Sequence, residues 1–481
     1  MIFQDLREYI QACKEFDELV EVKKADWDVE IGTLTEAMAE KAGPALLFDQ
    51  IKDYPKGYRV LSNPFSSLKR TAMVYDLPTK IGGVELLQAW RKRTGNYNPV
   101  PPVVSDNGPL LENVDEGDAV DLFKFPAPKW HAYDGGRYLG TGCAVIVRDP
   151  DTTRVNLGTY RCMIQSKNTI SVKLNKGKHG RMAMEKYHNR GENCPIAISV
   201  GHEPTIFAAS RTPLPPNTEE YDYAGWLRNK PVEVVKSDLT GLLLPSHAEI
   251  VLEGEIPPLD SAKLPKEGPF GEWPGYYSDT TIGEVPLMNV KRVLYRNDPI
   301  ILGSPPMKPP SPYSFALPFG CAELWDQLEK AGIPDIKGVW GYVHGSQAGL
   351  FFVVAIKQRY AGQSKQAGIA AATARAGAYG GKFVVVVDED LDITNLNEVI
   401  WAIGSRCNVR EDIQRLKGVW TSPADPAISP ADRAKRNYVS DRLIIDACRP
   451  YQWIEDFAEV NLFGKDEKQQ ALKKFGLTDK I

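Results

Sequence analysis

The sequence predicts a multidomain chain of α/β and α+β character in three parts, and three observations lead there. Short strands alternate with amphipathic helices at both ends, a β-rich stretch fills the middle, and a proline cluster stands on each side of that stretch. With 481 residues the chain exceeds what a single simple core holds together.

The elements follow in order. Phe3, Leu6, Ile10 and Cys13 recur at helical spacing, so the chain opens with an amphipathic helix. Ala45 to Phe48 and Tyr58 to Leu61 are strand-length apolar runs, and alternation continues to about residue 105. Pro99, Pro101 and Pro102, followed by Asp106-Asn107-Gly108, read as a linker. From about 122 to 302 short β-rich runs recur between turn signals: 142–147, 196–200, 232–235, 249–254 and 290–295. That pattern predicts a barrel or sandwich rather than a doubly wound sheet. Residues 304–312 carry five prolines and form a second stiff linker. Beyond 320, the buried strands 351–355 and 383–387 flank an alanine-rich helix over 365–376, and Thr394 is the expected N-cap of a helix over 395–403. A charged tail follows Asn461, with Leu462, Leu472 and Phe475 as its apolar points for a neighbouring subunit.

Composition narrows the function. Charged residues at 25% and hydrophobic ones at 43% are those of an ordinary globular protein, and a net charge of −4 gives no electrostatic footprint for nucleic acid. Seven scattered cysteines without a C-x-x-C pair argue for a reducing compartment and against a zinc–thiolate site. The N-terminus lacks a signal-peptide pattern and no apolar run approaches membrane-span length. A cytoplasmic protein with neither a nucleic-acid nor a membrane partner is expected.

The densest chemical signal is Lys266-Glu267-Gly268-Pro269-Phe270-Gly271-Glu272-Trp273-Pro274-Gly275-Tyr276. Proline and glycine forbid a helix, so Glu267 and Glu272 are presented by a stiff turn among aromatic rings. Two carboxylates in a partly apolar site can titrate apart, one as proton donor and one as charged orienter. Taken alone, the segment reads more readily as a surface turn with two solvated acids. Upstream, Asn156 and Arg161 point to opposite faces of an extended strand unless a turn at Gly158 intervenes. His179 lies in a basic loop, 176–181, before a helix expected near Met182. With Glu220, Asn156 and His179 form a hard donor set suited to Mn²⁺ or Mg²⁺ rather than zinc. Spacing does not establish that set, and a surface loop remains the ordinary alternative for His179.

Taken together, Asn156 with Arg161, Lys178-His179, Glu220 ahead of Gly225, Glu249 to Gly254, Glu267 to Glu272, and Trp401 to Cys407 resemble UbiD-type decarboxylases over most of the chain. Such enzymes act non-oxidatively on aromatic, heteroaromatic or α,β-unsaturated carboxylates with prenylated FMN (prFMN). The resemblance implies an N-terminal α/β domain (1–105), a central split β-barrel binding flavin and metal (106–315), and a C-terminal α/β domain with a terminal helix and oligomerisation tail (316–481). It implies catalysis by Arg161, Glu267 and Glu272. Asn156, Gly158, Thr159, Tyr160, Arg161, Lys178, His179, Glu220 and Arg375 would contact the cofactor. Asn156, His179 and Glu220 would ligate Mn²⁺ or Mg²⁺ at its phosphate, and Ala209, Ser210 and Thr212 would bind K⁺ beside Glu220. Partners so implied are a carboxylic acid and CO₂, a flavin prenyltransferase as cofactor supplier, and further copies of the chain in a homodimer or larger assembly. Leu157 and Trp273 depart from family members that carry an aromatic residue and a methionine there, which bears on the substrate. The chemistry agrees: CO₂ loss from an sp² carbon requires an electron sink that no side chain supplies. Two alternatives are an FMN-dependent oxidoreductase on a split barrel and a non-catalytic flavin-binding protein. Neither accounts for the Glu–Arg–Glu set, and no G-x-G-x-x-G follows a strand.

Overall fold

A computed structural model describes residues 2–212, 214, 218–259, 264–277, 283–309, 319–344 and 349–478. Pro310 and Pro312 of the second proline cluster, and the expected boundary at 315/316, lie outside these residues.

The first helix spans Leu6–Glu15, with the Asp5 carboxylate accepting from the Glu8 N–H at 2.8 Å as N-cap. Leu6, Tyr9, Ile10 and Cys13 are buried; Phe3 precedes the cap and packs edge-on against Tyr9 at 5.4 Å. Beneath lies a four-stranded sheet in the order Leu19–Lys23, Ala45–Asp49, Arg59–Ser62 and Ile300–Gly303. Its last strand comes from far along the chain and pairs in parallel with Arg59–Ser62.

The β-rich middle forms a curled, half-barrel sheet with nine strands among the described residues. Its long strands are Cys143–Arg148, Cys194–Val200, Ile250–Ile256 and Leu287–Tyr295, joined antiparallel. The run expected at 232–235 is not part of it. Glu233–Lys236 instead forms a separate small sheet with Leu243–Pro245 and Val103–Val104. Val145, Val147, Ile196, Ile198, Leu252, Met288 and Val293 form one buried core together with Trp130, Phe48 and Phe125. Each such fully buried side chain stabilises by about 1.5–3 kcal/mol before entropy is counted. A second core runs from the first helix through Phe207 and Trp226 into the C-terminal sheet, so apolar contact is continuous along the molecule.

Two glutamates of the 249–254 run are interior ion-pair partners. Glu249 takes Arg7 through two bonds of 2.8 Å and Arg296 at 3.3 Å, and Glu253 takes Arg292 at 2.9 Å. The Arg7–Glu249 pair ties the first helix to the start of a central strand, and the Glu253–Arg292 pair joins two strands of that sheet.

The C-terminal sheet has the order Ile336–His344, Gly349–Ile356, Phe383–Asp388, Val439–Asp446, Ile413–Trp420, with the middle three strands mutually parallel. Three local expectations are corrected here. The alanine-rich helix is Gln363–Thr373, and Ala374, with ψ near 145°, separates it from a short helix Arg375–Ala378. The next helix is Leu396–Arg406, capped by Asn395, while Thr394 is held outside it by hydrogen bonds from its N–H and hydroxyl to Asp392. The helix expected near Met182 begins three residues earlier, at His179. The terminal helix Lys465–Lys474 leaves Leu462, Phe463 and Phe475 exposed on its flanks. Among the described residues no helix is long and apolar enough to cross a membrane.

Candidate active site

The strand Val155–Gly158 pairs antiparallel with Cys143–Arg148 and stops at Gly158. A Cβ there would sit 2.3 Å from the Tyr160 ring, so glycine allows that ring to fold across the strand end. The turn 159–161 follows, and the chain enters Cys162–Ile164.

Arg161 bridges the two motif glutamates. Its Nη2 donates to Glu267 Oε2 at 2.7 Å and its Nη1 to Glu272 Oε1 at 3.3 Å. Glu267 is fully buried on the short strand Lys266–Glu267, and its other oxygen accepts from the Tyr138 hydroxyl at 2.9 Å. Glu272 is 34% exposed at the cleft surface. Its backbone is fixed by a bond to Tyr276 O at 3.0 Å and one from the Gly275 N–H at 2.8 Å. Phe270 packs on Tyr138 with centroids 4.1 Å apart and lies 5.4 Å from the guanidinium. Burial pushes the Glu272 carboxyl above the usual carboxylate range; Arg161 and Lys173 pull it back, and Glu267 adds to the rise. Burial, and then the Glu267 charge, push the Tyr138 phenol upward, so it stays a donor.

At the other end, Glu220 opens the helix Glu220–Arg228 and is nearly buried. It accepts from Asn156 Nδ2 at 3.0 Å and the Leu157 N–H at 3.1 Å. Burial pushes its pKa up to about 7 against those bonds. Asn156 Oδ1 is buried and has no hydrogen-bond partner among the described residues, and a Cβ on Gly180 would be only 3.3 Å from it. A lone acceptor beside a desolvated carboxylate fits a hard cation. His179, the first residue of the helix His179–Asn189, stands next to Gly180, but its side chain is exposed and makes no hydrogen bond among the described residues. Among those residues no three His, Cys, Asp or Glu side chains gather as a metal-ligand group.

Of the residues expected to hold potassium, Ser210 is brought to Thr159, with hydroxyls 2.8 Å apart and the Thr159 N–H on Ser210 O at 3.0 Å. Ala209 and Thr212 are engaged within the end of their own helix: Thr212 donates its hydroxyl to Ala208 O at 2.8 Å and its N–H to Ala209 O at 3.1 Å.

Arg161 and Glu272, with Thr159, border a cleft of about 560 Å³ between the central sheet and the C-terminal part. Thr159, Tyr160, Arg161, Lys178, Glu272 and Trp273 line one side; Tyr379 and Ser422 to Ala424 line the other. Arg375 reaches this space electrostatically, since after burial its charge is what lowers the Lys178 pKa. Sequence reasoning missed Lys173, which also lines the cleft, and the Tyr138 anchor. A signal for Lys173 existed. Cys162 pairs with Val172 across a hairpin, so Arg161 and Lys173 fall opposite each other one step further out.

Comparison with known proteins is consistent over the whole chain. A family model described as the 3-octaprenyl-4-hydroxybenzoate carboxy-lyase Rift-related domain, UbiD, matches residues 102–309; the corresponding C-terminal and N-terminal domain models match 315–447 and 10–90. A phenolic acid decarboxylase of Escherichia coli O157:H7 is 32% identical over 94% of this chain and 93% of its own length. A pyrrole-2-carboxylic acid decarboxylase of Pseudomonas aeruginosa is 31% identical over 93% and 92%. Among solved structures, Sedimentibacter hydroxybenzoicus vanillic acid decarboxylase in open form, with truncated ShVdcD, is similar with a TM-score of 0.85 at 27% identity, covering 99% of both chains. An evolved dimeric form of the UbiD-class enzyme HmfF from Pelotomaculum thermopropionicum, in complex with prFMN, gives 0.78 at 25%, covering 97% of this chain and 98% of that one.

Proposed function

The chain belongs to the UbiD family, and from that premise we infer that it is a carboxy-lyase. It decarboxylates an aromatic, heteroaromatic or α,β-unsaturated acid reversibly and non-oxidatively, with prFMN as cofactor. The observation that carries this reading is Arg161 bridging a buried Glu267 and a cleft-facing Glu272. Relatives aligned over 94% and 93% of the chain are named decarboxylases, which leaves the oxidoreductase and non-catalytic alternatives without support.

When bound, prFMN supplies the electron sink that CO₂ loss requires. The chain's own side chains do the rest. Glu272, its carboxyl held protonated further up the pH scale than usual, delivers the proton to the carbon that loses CO₂. Arg161 orients it, and Glu267, fixed by Tyr138, holds Arg161. In this conformation both Nη groups of Arg161 serve protein carboxylates, so its fork is occupied. Phe270 and Trp273 keep water from the reacting atoms.

Lys178, which lines the cleft, and Arg375, whose charge acts on it, would take the cofactor phosphate. Asn156 Oδ1 and Glu220, with His179, would hold Mn²⁺ or Mg²⁺ there, and Ser210, with Ala209 and Thr212, would hold K⁺. Gly158, Thr159 and Tyr160 would border the flavin. A flavin prenyltransferase supplies the cofactor. The exposed Leu462, Phe463 and Phe475 suit burial against another copy of the chain, giving a homodimer or higher assembly. The three-part division at 105 and 315 belongs to the same proposal. Producing the protein with a flavin prenyltransferase, then recording its mass and visible spectrum and assaying aromatic acids for CO₂ release, tests the reading. Full activity with plain FMN would overturn it.

A further inference from the structure

Lys173 is a cation in the cleft that the proposed chemistry leaves without a task. It follows the strand Thr169–Val172, donates its backbone N–H to Arg161 O at 3.1 Å, and is half-buried. Its side chain lines the cleft with Arg161, Glu272, Phe270 and Trp273, and its ammonium makes no hydrogen bond or ion pair among the described residues. Burial and the neighbouring guanidinium disfavour its charge more than the Glu267 and Glu272 carboxylates, which make no ion pair with it, favour it, so a further anion in the cleft would stabilise it.

Two occupants are disfavoured. The cations of the cleft fall into two groups: Lys178 interacts with Arg375, whereas Lys173 interacts with Arg161, Glu267 and Glu272. A cofactor phosphate held by the first group leaves the second untouched. The scissile carboxylate is a poor partner for a different reason. It loses its charge on the way to CO₂, so an ammonium bound to it stabilises the ground state more than the transition state and slows the reaction. A group that keeps its charge throughout has no such conflict, because binding it is uniform.

We propose that the substrate carries a second, persistent carboxylate on its ring, and that Lys173 holds this group while the first carboxylate is lost. Lys173 is then a specificity determinant that selects ring dianions over monoanions. The proposal rests on the decarboxylase reading, since the site it completes is that one.

The test uses prFMN-loaded protein and two matched probe pairs: benzene-1,4-dicarboxylate with 4-carbamoylbenzoate, and benzene-1,3-dicarboxylate with 3-carbamoylbenzoate. Dissociation constants come from calorimetry at low ionic strength. At least one dicarboxylate is expected to bind about tenfold more tightly than its amide. Lys173→Gln abolishes that preference while leaving amide affinity and flavin content unchanged, and Lys173→Arg retains it. Absence of a preference in the wild type overturns the proposal. So does an equal loss for both members of a pair in Lys173→Gln, which would assign Lys173 to the shared carboxylate, or a loss of flavin, which would assign it to the cofactor. Exchange of ring hydrogen with D₂O in aromatic products reports the decarboxylase chemistry separately. A dianion preference without exchange would sink that reading and leave the Lys173 site standing.

Discussion

Glu267 and Glu272 share one guanidinium but not one environment. Glu267 is fully buried, 2.7 Å from Arg161 Nη2 and tied to Tyr138; Glu272 is 3.3 Å from Nη1 and 34% exposed to the cleft. A single arginine thus holds one carboxylate as a fixed charge and leaves the other free to exchange a proton.

Glu272→Gln keeps the shape but removes the acid. Turnover should fall by roughly 10² to 10⁴ with flavin content intact, the usual worth of general acid–base catalysis. Product ring hydrogen should also stop exchanging with D₂O. Exchange at the wild-type rate in the variant would exclude Glu272 as donor.

Glu267→Gln acts through Arg161 instead. Releasing the guanidinium should change KM as well as kcat, and steady-state kinetics on the same substrate separate the two patterns. A pure kcat effect with unchanged KM would contradict an orienting role.

The pH profile follows from the raised Glu272 carboxyl. A donor must carry its proton, so kcat should be greatest at the acid side and fall as pH rises through the elevated pKa. Arg161→Lys removes the fork that stabilises the ionised form, which should move that fall to higher pH. A profile unchanged by this substitution would argue that another group donates.

His179→Ala and Asn156→Ala should lower manganese and flavin together, because an unneutralised phosphate beside Glu220 is costly. Metal analysis and flavin absorbance of the purified variants measure both. Normal flavin occupancy in either would count against a metal-anchored phosphate.

Arg7→Met strips the buried Glu249 of its two-bond partner and leaves Arg296 at 3.3 Å as its ion-pair partner among the described residues. The loss of stability should be roughly 3 kcal/mol, readable as a lower urea midpoint at unchanged slope. A shift near zero would mean that the first helix is held by its apolar face alone.

What was legible in the sequence had local causes. Apolar spacing marked the first helix and the buried strands, and Gly-Pro in the 267–272 segment excluded a helix and announced a stiff turn. Gly158 was the place where the chain could turn between Asn156 and Arg161, and the strand ends there. Helix ends were less legible: Thr394 was outcompeted as a cap by Asn395 because Asp392 binds it first. The partnerships were decided by tertiary structure. Ile300–Gly303 pairs with Arg59–Ser62 across more than 230 residues, and Arg161 meets Glu267 across 106. Tyr138 on Glu267, Lys173 opposite Arg161 and the charge of Arg375 acting on Lys178 likewise depend on how the sheet curls and which walls meet. A residue's type and neighbours determine its local conformation. Its charge state and its partner depend on burial and on distant groups, and those exist only once the chain has folded.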